Sequence, residues 1–154
     1  MAIILLATDA DWILDEVEAA LVDDRLSVSR VRRGVDVVPA IVELQPALVM
    51  LDLQIGNMGG MAACVGIRHE QGMDRIGPLP VLMLLDRAAD VFLAQRSQAD
   101  GWLIKPLDAF RIRRATEALL AGYGYVEGVD PAEVDPDDDQ DEPAADPAAE
   151  AVGG

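Results

Sequence analysis

Charged side chains stand just after several apolar runs of this chain, where they could meet in one site. Asp9 and Asp52 each follow such a run, and Lys105 follows a third. Two carboxylates held close together repel each other unless a cation compensates, and Mg²⁺ is a common partner for an all-oxygen site. Lys105 is the only lysine beside eleven arginines, and its compact ammonium can reach one oxygen in a space too narrow for a planar guanidinium. These residues predict an acidic, cation-binding cleft that contains one amine.

The apolar runs themselves predict five β-strands. Four are short and almost wholly apolar, as expected for strands covered on both faces, whereas one alternates apolar and polar residues like an edge strand. In chain order the predicted strands are 3–7, 26–32, 47–51, 81–85 and 101–104. Helical spacing lies between and after them, with Asp11 and Asp108 as predicted N-caps and 61–69 as the third helix. The alternation predicts a doubly wound α/β fold with a parallel sheet, whose ligands bind beyond the carboxyl ends of the strands.

The charge of the chain is distributed unevenly. The whole chain of 154 residues has a formal charge of −16, yet residues 127–154 contain eleven acidic side chains and no basic ones. Residues 1–125 therefore carry a net charge of only −5. The acidic surplus argues against direct nucleic-acid binding, which selects for clustered Lys and Arg, and no apolar run is long enough to suggest a membrane span. With a single cysteine and no basic leader, we expect a cytoplasmic protein.

Composition also divides the chain into two regions. We assign residues 1–125 to one folded domain and residues 126–154 to an acidic C-terminal tail. The tail is rich in Pro, Ala and acidic residues and has few large apolar side chains, so we expect it to be disordered. No second globular segment follows, and we therefore expect the folded domain to act without an output domain of its own.

The charged residues stand in motifs that resemble the receiver domain of two-component response regulators. The motifs are LLATDAD, MLDLQIGNMGG, VLMLLD and GWLIKPL, and the resemblance extends over about residues 3–120. In that family an acidic pair follows strand one, an Asp and a loop follow strand three, Thr or Ser follows strand four, and Lys-Pro follows strand five. The resemblance implies a flavodoxin-like sheet with strand order 2-1-3-4-5 and helices on both faces.

The resemblance also implies roles for individual residues. Asp52 matches the carboxylate that accepts a phosphoryl group, and Lys105 matches the lysine that binds a phosphoryl oxygen. Asp9, Asp52 and the backbone carbonyl of Gln54 match the protein ligands of Mg²⁺. The donor would be a histidine kinase or a phosphotransfer protein, and the signal would pass by protein–protein contacts to a downstream protein that the sequence leaves unknown. A homodimer through the fourth helix, fifth strand and fifth helix is a further possibility.

Three residues depart from the family pattern. Thr8 stands in place of the first acidic residue, which removes one negative charge and predicts weaker Mg²⁺ binding. Leu85 stands where the family has the hydroxyl that follows the phosphoryl group and couples it to an aromatic residue, here Trp102, and a leucine cannot make that hydrogen bond. Gly56 replaces the proline common in the third loop and leaves that loop freer.

Two other hypotheses remain open from the sequence. The domain could be a pseudo-receiver, a protein-binding module of the same fold that has lost phosphorylation-dependent switching through Thr8 and Leu85. It could instead be a phosphatase, because Asp9-Ala-Asp11 resembles the nucleophile motif of the haloacid dehalogenase type, although no later motif of that family is found. We otherwise expect a signalling domain rather than an enzyme. Asparagine substitution of Asp9 and Asp52, one at a time, would separate the two nucleophiles.

Overall fold

The computed structural model of the chain describes residues 1–23 and 25–128. Strands and helices alternate along this part of the chain, and two 3₁₀ turns, Gly34–Asp36 and Ala88–Asp90, precede α2 and α4. In order, the elements are β1 Ala2–Ala7, α1 Asp11–Ala20, β2 Leu26–Val31, α2 Val37–Leu44, β3 Leu48–Asp52, α3 Gly59–Gly72, β4 Val81–Leu85, α4 Val91–Arg96, β5 Gly101–Ile104 and α5 Ala109–Leu120. The predicted tail beyond Gly128 lies outside the described residues.

The five strands form one parallel sheet in the order β2-β1-β3-β4-β5. This confirms the predicted doubly wound α/β fold and its strand order. Every residue of the central strands β3 and β4 is buried, whereas every residue of β2 is only partly buried. The difference agrees with the sequence pattern, because a strand at the sheet edge has less cover than one between two neighbours.

Helices cover both faces of the sheet and divide the core into two clusters. On one face, α1 and α5 contribute apolar side chains such as Ile13 and Ile112. On the other face, α2, α3 and α4 contribute side chains such as Ile41, Ile67 and Val91. Because all five strands run the same way, their carboxyl ends lie together at one edge of the sheet, between the two helical layers.

The helix boundaries differ from prediction in two places. The predicted N-cap at Asp11 is wrong: Ala10 occupies the cap position with an extended backbone, and Asp11 is the first helical residue. The carboxylate of Asp11 instead forms an ion pair with Arg30 of the neighbouring strand. Helix α3 begins at Gly59 and ends at Gly72, so it extends beyond the predicted 61–69 at both ends. The predicted cap at Asp108 is confirmed, since its side chain accepts a hydrogen bond from the backbone N–H of Arg111.

Residues that follow α5 return to the open edge of β5. The backbone N–H of Trp102 donates to the carbonyl of Tyr125, and the backbone N–H of Ile104 donates to the carboxylate of Glu127. The Arg111 guanidinium donates to both oxygens of that carboxylate, with distances of 2.7 and 2.6 Å. Glu127, which stands within the region that the sequence assigned to the tail, is therefore bonded to the folded domain.

Within the part of the chain that the structure describes, no helix has both the length and the apolar character needed to cross a bilayer.

We predict that Glu127→Ala lowers the free energy of unfolding at neutral pH by about 1–3 kcal/mol, the usual range for losing charge-assisted hydrogen bonds. Burial opposes ionisation of Glu127, but the hydrogen bonds from Arg111 and from the backbone N–H of Ile104, together with the charge of Arg111, outweigh it and hold the pKa of the carboxyl below its usual range. Urea unfolding monitored by circular dichroism measures the difference. Val126→Ala, a change at an exposed neighbour, is the matched control.

The same ion pair gives this prediction a pH dependence. Because the pKa of Glu127 is lower in the folded chain than in the unfolded chain, its contribution is complete above the unfolded value of about 4.3 and is lost as the pH falls through the folded value. The stability difference between wild type and Glu127→Gln should therefore shrink on acidification below about pH 4. A difference that stays constant from neutral pH to about pH 3 would contradict this account.

Candidate functional site

Asp52 is the buried carboxylate at the centre of the carboxyl edge of the sheet. It is the last residue of β3 and only 2% exposed. One of its oxygens accepts hydrogen bonds from the Lys105 ammonium at 2.6 Å and from the backbone N–H of Gln54 at 3.1 Å. The other accepts a hydrogen bond from the Thr8 hydroxyl at 2.7 Å. A buried carboxylate needs such donors, because otherwise the loss of hydration would disfavour its charged form.

The start of α3 packs directly against the backbone of Asp52. A Cβ placed on Gly60 would lie 2.5 Å from the carbonyl oxygen of Asp52, so only glycine permits this approach. The backbone N–H of Gly60 also donates to the carbonyl of Leu53. The loop between β3 and α3 is thereby closed against the end of the strand, which fixes the position of the Asp52 backbone.

Lys105 extends from the end of β5 to two carboxylates. Its ammonium lies 2.6 Å from an oxygen of Asp52 and 2.9 Å from an oxygen of Asp86. Burial alone would lower the pKa of this amine, but the hydrogen bonds to Asp52 and Asp86 outweigh burial and raise that pKa above its usual value. Lys105 is therefore a fixed positive charge between two acidic side chains.

Asp86 is the site residue that the sequence analysis did not assign. It follows β4 directly, and its second oxygen accepts a hydrogen bond from the side-chain amide of Gln54. Burial would raise the pKa of Asp86, but the hydrogen bonds from Lys105 and Gln54 outweigh it and lower that pKa. Its place at a strand end was visible in the sequence. Its contact with Lys105 was not, because that contact depends on the side-chain positions.

Asp9 lies at the exposed rim of the site. One of its carboxylate oxygens accepts a hydrogen bond from the backbone N–H of Gly56 at 3.3 Å. The common proline at position 56 would have no N–H to donate, so Gly56 supplies a contact that the family pattern lacks. Asp11, by contrast, is bonded to Arg30 and is 74% exposed. The two carboxylates of the Asp9-Ala-Asp11 motif therefore have different partners.

Thr8 occupies the position of the missing acidic residue. Its side chain is fully buried, and its hydroxyl donates to Asp52 while accepting from the backbone N–H of Ala10 at 3.1 Å. An acidic residue here would place a second carboxylate beside Asp52. Thr8 instead stabilises the Asp52 carboxylate by donating to it, and it adds no negative charge that could attract a metal ion.

Leu85 and Trp102 lie on the same face of the sheet and belong to the same apolar cluster. Leu85 is fully buried, and Trp102 is 5% exposed. The indole N–H of Trp102 donates to the backbone carbonyl of Glu127 at 2.8 Å. Leu85 has no polar atom on its side chain, so any coupling from Asp52 to Trp102 through position 85 can involve packing alone.

The candidate metal ligands come together only in part. The backbone N–H of Gln54 contacts the carboxylate of Asp52, and Asp9 contacts the same loop at Gly56. Within residues 1–23 and 25–128, no three His, Cys, Asp or Glu side chains are arranged to hold a metal ion. Two carboxylates and a backbone carbonyl are nevertheless the oxygen donors that Mg²⁺ accepts, and this ion usually keeps several waters. The donor set fits a magnesium ion held by few protein ligands.

The chain is similar in sequence to known response regulators. It is 29% identical over 127 residues to the transcriptional regulatory protein CseB of Streptomyces avermitilis, with 81% of this chain and 52% of the relative covered. It is 33% identical over 110 residues to the DNA-binding dual master transcriptional regulator RpaA of Synechocystis, with 64% and 44% covered. The chain thus spans about half the length of these curated relatives. No protein-family model matches it.

Solved structures share the fold. The receiver domain of NtrX from Brucella abortus superposes with a TM-score of 0.66 and 26% identity, over 77% of this chain and 98% of that domain. The signal receiver domain of the putative response regulator NarL from Mycobacterium tuberculosis superposes with a TM-score of 0.68 and 22% identity, over 79% and 97%. The sequence motifs, the strand order and these relatives agree. The chain therefore fits a receiver domain of two-component response regulators.

Proposed function

We propose that the domain accepts a phosphoryl group on Asp52 from a phosphohistidine donor, which is a histidine kinase or a phosphotransfer protein. The observation that carries this proposal is the contact between the buried Asp52 carboxylate and Lys105, the only lysine of the chain. An oxygen of Asp52 attacks phosphorus, the bond from phosphorus to the histidine nitrogen breaks, and that nitrogen takes up a proton. The product is an aspartyl phosphate.

Lys105 supplies the positive charge at the reacting group. Its ammonium already lies within hydrogen-bond distance of Asp52, so it can bind a phosphoryl oxygen as negative charge is delivered there. Thr8 and the backbone N–H of Gln54 hold the carboxylate in place through its two oxygens. Positioning of this kind is the main protein contribution to phosphoryl transfer, because the transferred group needs orientation and charge stabilisation.

A magnesium ion would be held by Asp9, Asp52 and the backbone carbonyl of Gln54. When bound, it would neutralise charge on the transferring phosphoryl group. Because Thr8 replaces an acidic residue, this site has one carboxylate fewer than the family pattern. We therefore propose weaker Mg²⁺ binding than in receivers that have an acidic residue at that position.

The signal leaves the domain through protein–protein contacts in this proposal. Residues 1–125 carry a net charge of −5, which does not favour a nucleic-acid partner. The segment 123–128 lies along the outer edge of β5, so a homodimer through α4, β5 and α5 would have to include it or displace it.

Since Leu85 cannot bond a phosphoryl oxygen, a pseudo-receiver that binds its partner without phosphorylation is the second candidate.

We predict that the wild-type chain, incubated with Mg²⁺ and phosphoramidate, gains the mass of one phosphoryl group. Asp52→Asn should gain none, because a neutral amide is not a nucleophile for phosphorus. Intact-protein mass spectrometry measures the adduct, and its loss on hydroxylamine treatment identifies an acyl phosphate. Asp9→Asn tests the other nucleophile: it should still form the hydroxylamine-sensitive adduct on Asp52, but more slowly than wild type, because Asp9 is a proposed Mg²⁺ ligand.

Three outcomes would contradict this assignment. An adduct that survives in Asp52→Asn would place the phosphoryl group elsewhere, and the loss of that surviving adduct when Asp9→Asn is added to Asp52→Asn would favour the phosphatase-like reading of Asp9. If folded wild type gained no adduct from phosphoramidate or from a histidine-phosphorylated donor protein, the pseudo-receiver would be the better description.

We predict that Mg²⁺ raises the melting temperature of the wild-type chain and that Asp9→Asn abolishes this effect, because it removes one of two carboxylate ligands. Thr8→Asp should lower the apparent Kd for Mg²⁺ roughly tenfold by restoring the missing charge. Differential scanning fluorimetry over a Mg²⁺ series measures both. Asp15→Asn, at an exposed position of α1, is the charge-matched control and should respond like wild type. An Asp9→Asn response equal to that of wild type would exclude Asp9 as a ligand.

A further inference from the structure

We propose that Asp86 is an internal competitor for Lys105, and that it limits how readily Asp52 takes up a phosphoryl group. This inference rests on the proposed function of Asp52. It assigns a positioning role to a residue at the end of β4 that acts on phosphoryl transfer through the lysine.

The contacts of Asp86 place it in competition with Asp52 for the ammonium of Lys105. The single lysine of the chain divides its ammonium between Asp52, at 2.6 Å, and Asp86, at 2.9 Å. The other oxygen of Asp86 is held by the side-chain amide of Gln54, two residues beyond Asp52. Asp86 is thus fixed on both oxygens beside the carboxylate that would be phosphorylated, and its side chain is 29% exposed.

The contacts of Asp86 are made to side chains of the candidate site and not to the 3₁₀ turn that follows. Within residues 1–23 and 25–128, the carboxylate of Asp86 bonds only to Lys105 and Gln54. The 3₁₀ turn that follows is closed by another acid, since Asp90 accepts a hydrogen bond from the backbone N–H of Arg87. Removing the charge of Asp86 should therefore leave the turn before α4 intact.

Electrostatics gives the direction of the effect. A phosphoryl group on Asp52 would carry a charge of about −2 beside Asp86. The phosphoryl group and the Asp86 carboxylate would then compete for the ammonium of Lys105. Asp86 must either give up Lys105 or remain beside an anion that it repels. In either case the charge of Asp86 disfavours the phosphorylated state and the approach of an anionic donor. The side chain of Leu85 has no polar atom. At the end of β4 it is therefore the carboxylate of Asp86 that the new negative charge would repel.

The test compares four full-length chains under one set of conditions. Wild type, Asp86→Asn, Asp86→Glu and the exposed-charge control Asp15→Asn are incubated with Mg²⁺ and phosphoramidate, and the initial rate of adduct formation is followed by intact-protein mass. Asp86→Asn should react about tenfold faster than wild type, because it keeps the size of the side chain and loses its charge. Asp86→Glu should restore a slow rate, and Asp15→Asn should match wild type. Melting temperatures establish that each variant is folded.

The outcomes separate this inference from the proposed function. If wild type forms the adduct and Asp86→Asn forms it no faster, Asp86 is not a competitor, whereas phosphorylation of Asp52 stands. If wild type forms no adduct but Asp86→Asn does, the competition is confirmed and the wild-type chain does not accept phosphate from this donor. If neither chain forms an adduct while both are folded, the inference is overturned together with unaided phosphorylation. An Asp86→Glu chain as fast as Asp86→Asn would also overturn it, because the charge would then be irrelevant.

Discussion

The structure of the site depends on how a carboxylate can remain charged inside a protein. Asp52 is 2% exposed, and removing a carboxylate from water is costly unless cations and hydrogen-bond donors replace the water. Three donors do so here: the Thr8 hydroxyl, the backbone N–H of Gln54 and the Lys105 ammonium. Only Lys105 brings a full positive charge. Its loss would leave two acidic side chains, Asp52 and Asp86, without the cation that lies between them.

The parallel sheet brings these groups together. Lys105 is separated from Asp52 by 53 positions in the chain and Thr8 by 44, yet each follows the end of a strand, and parallel strands end at one edge. In the register of β3 and β4, Asp52 lies opposite Leu84, and a shift of β3 by one residue would turn the carboxylate of Asp52 to the other face of the sheet. The close approach at Gly60 then fixes the Asp52 backbone. The position of the Asp52 carboxylate thus depends on the packing of the strands and of α3 around it.

Thr8 and Asp86 together determine where the negative charge of the candidate site lies. Thr8 removes a carboxylate from the side of the site where Asp9 and Gln54 would hold a metal ion. Asp86 places a carboxylate on the other side, 2.9 Å from the ammonium of Lys105. The first change weakens attraction for a cation, and the second occupies the amine. In the proposed function both features would disfavour phosphorylation for electrostatic reasons. Neither side chain belongs to the two core clusters, which consist of apolar residues.

The sequence by itself predicted the doubly wound fold, which the structure confirms, and it placed the candidate site at the carboxyl edge of the sheet. Apolar strands that alternate with helices favour a parallel sheet covered on both faces, and charged residues that directly follow such strands lie at its carboxyl edge. Capping was predicted less well: Asp108 caps α5, whereas Asp11 pairs with Arg30, because an ion pair with an adjacent strand depends on tertiary contacts. For the same reason only the tertiary structure decided how Lys105 is divided between Asp52 and Asp86, and that Glu127 is bonded to Arg111. Sequence periodicity specifies the face on which a side chain lies, but the partner of a long charged side chain depends on distances that only the packed chain sets.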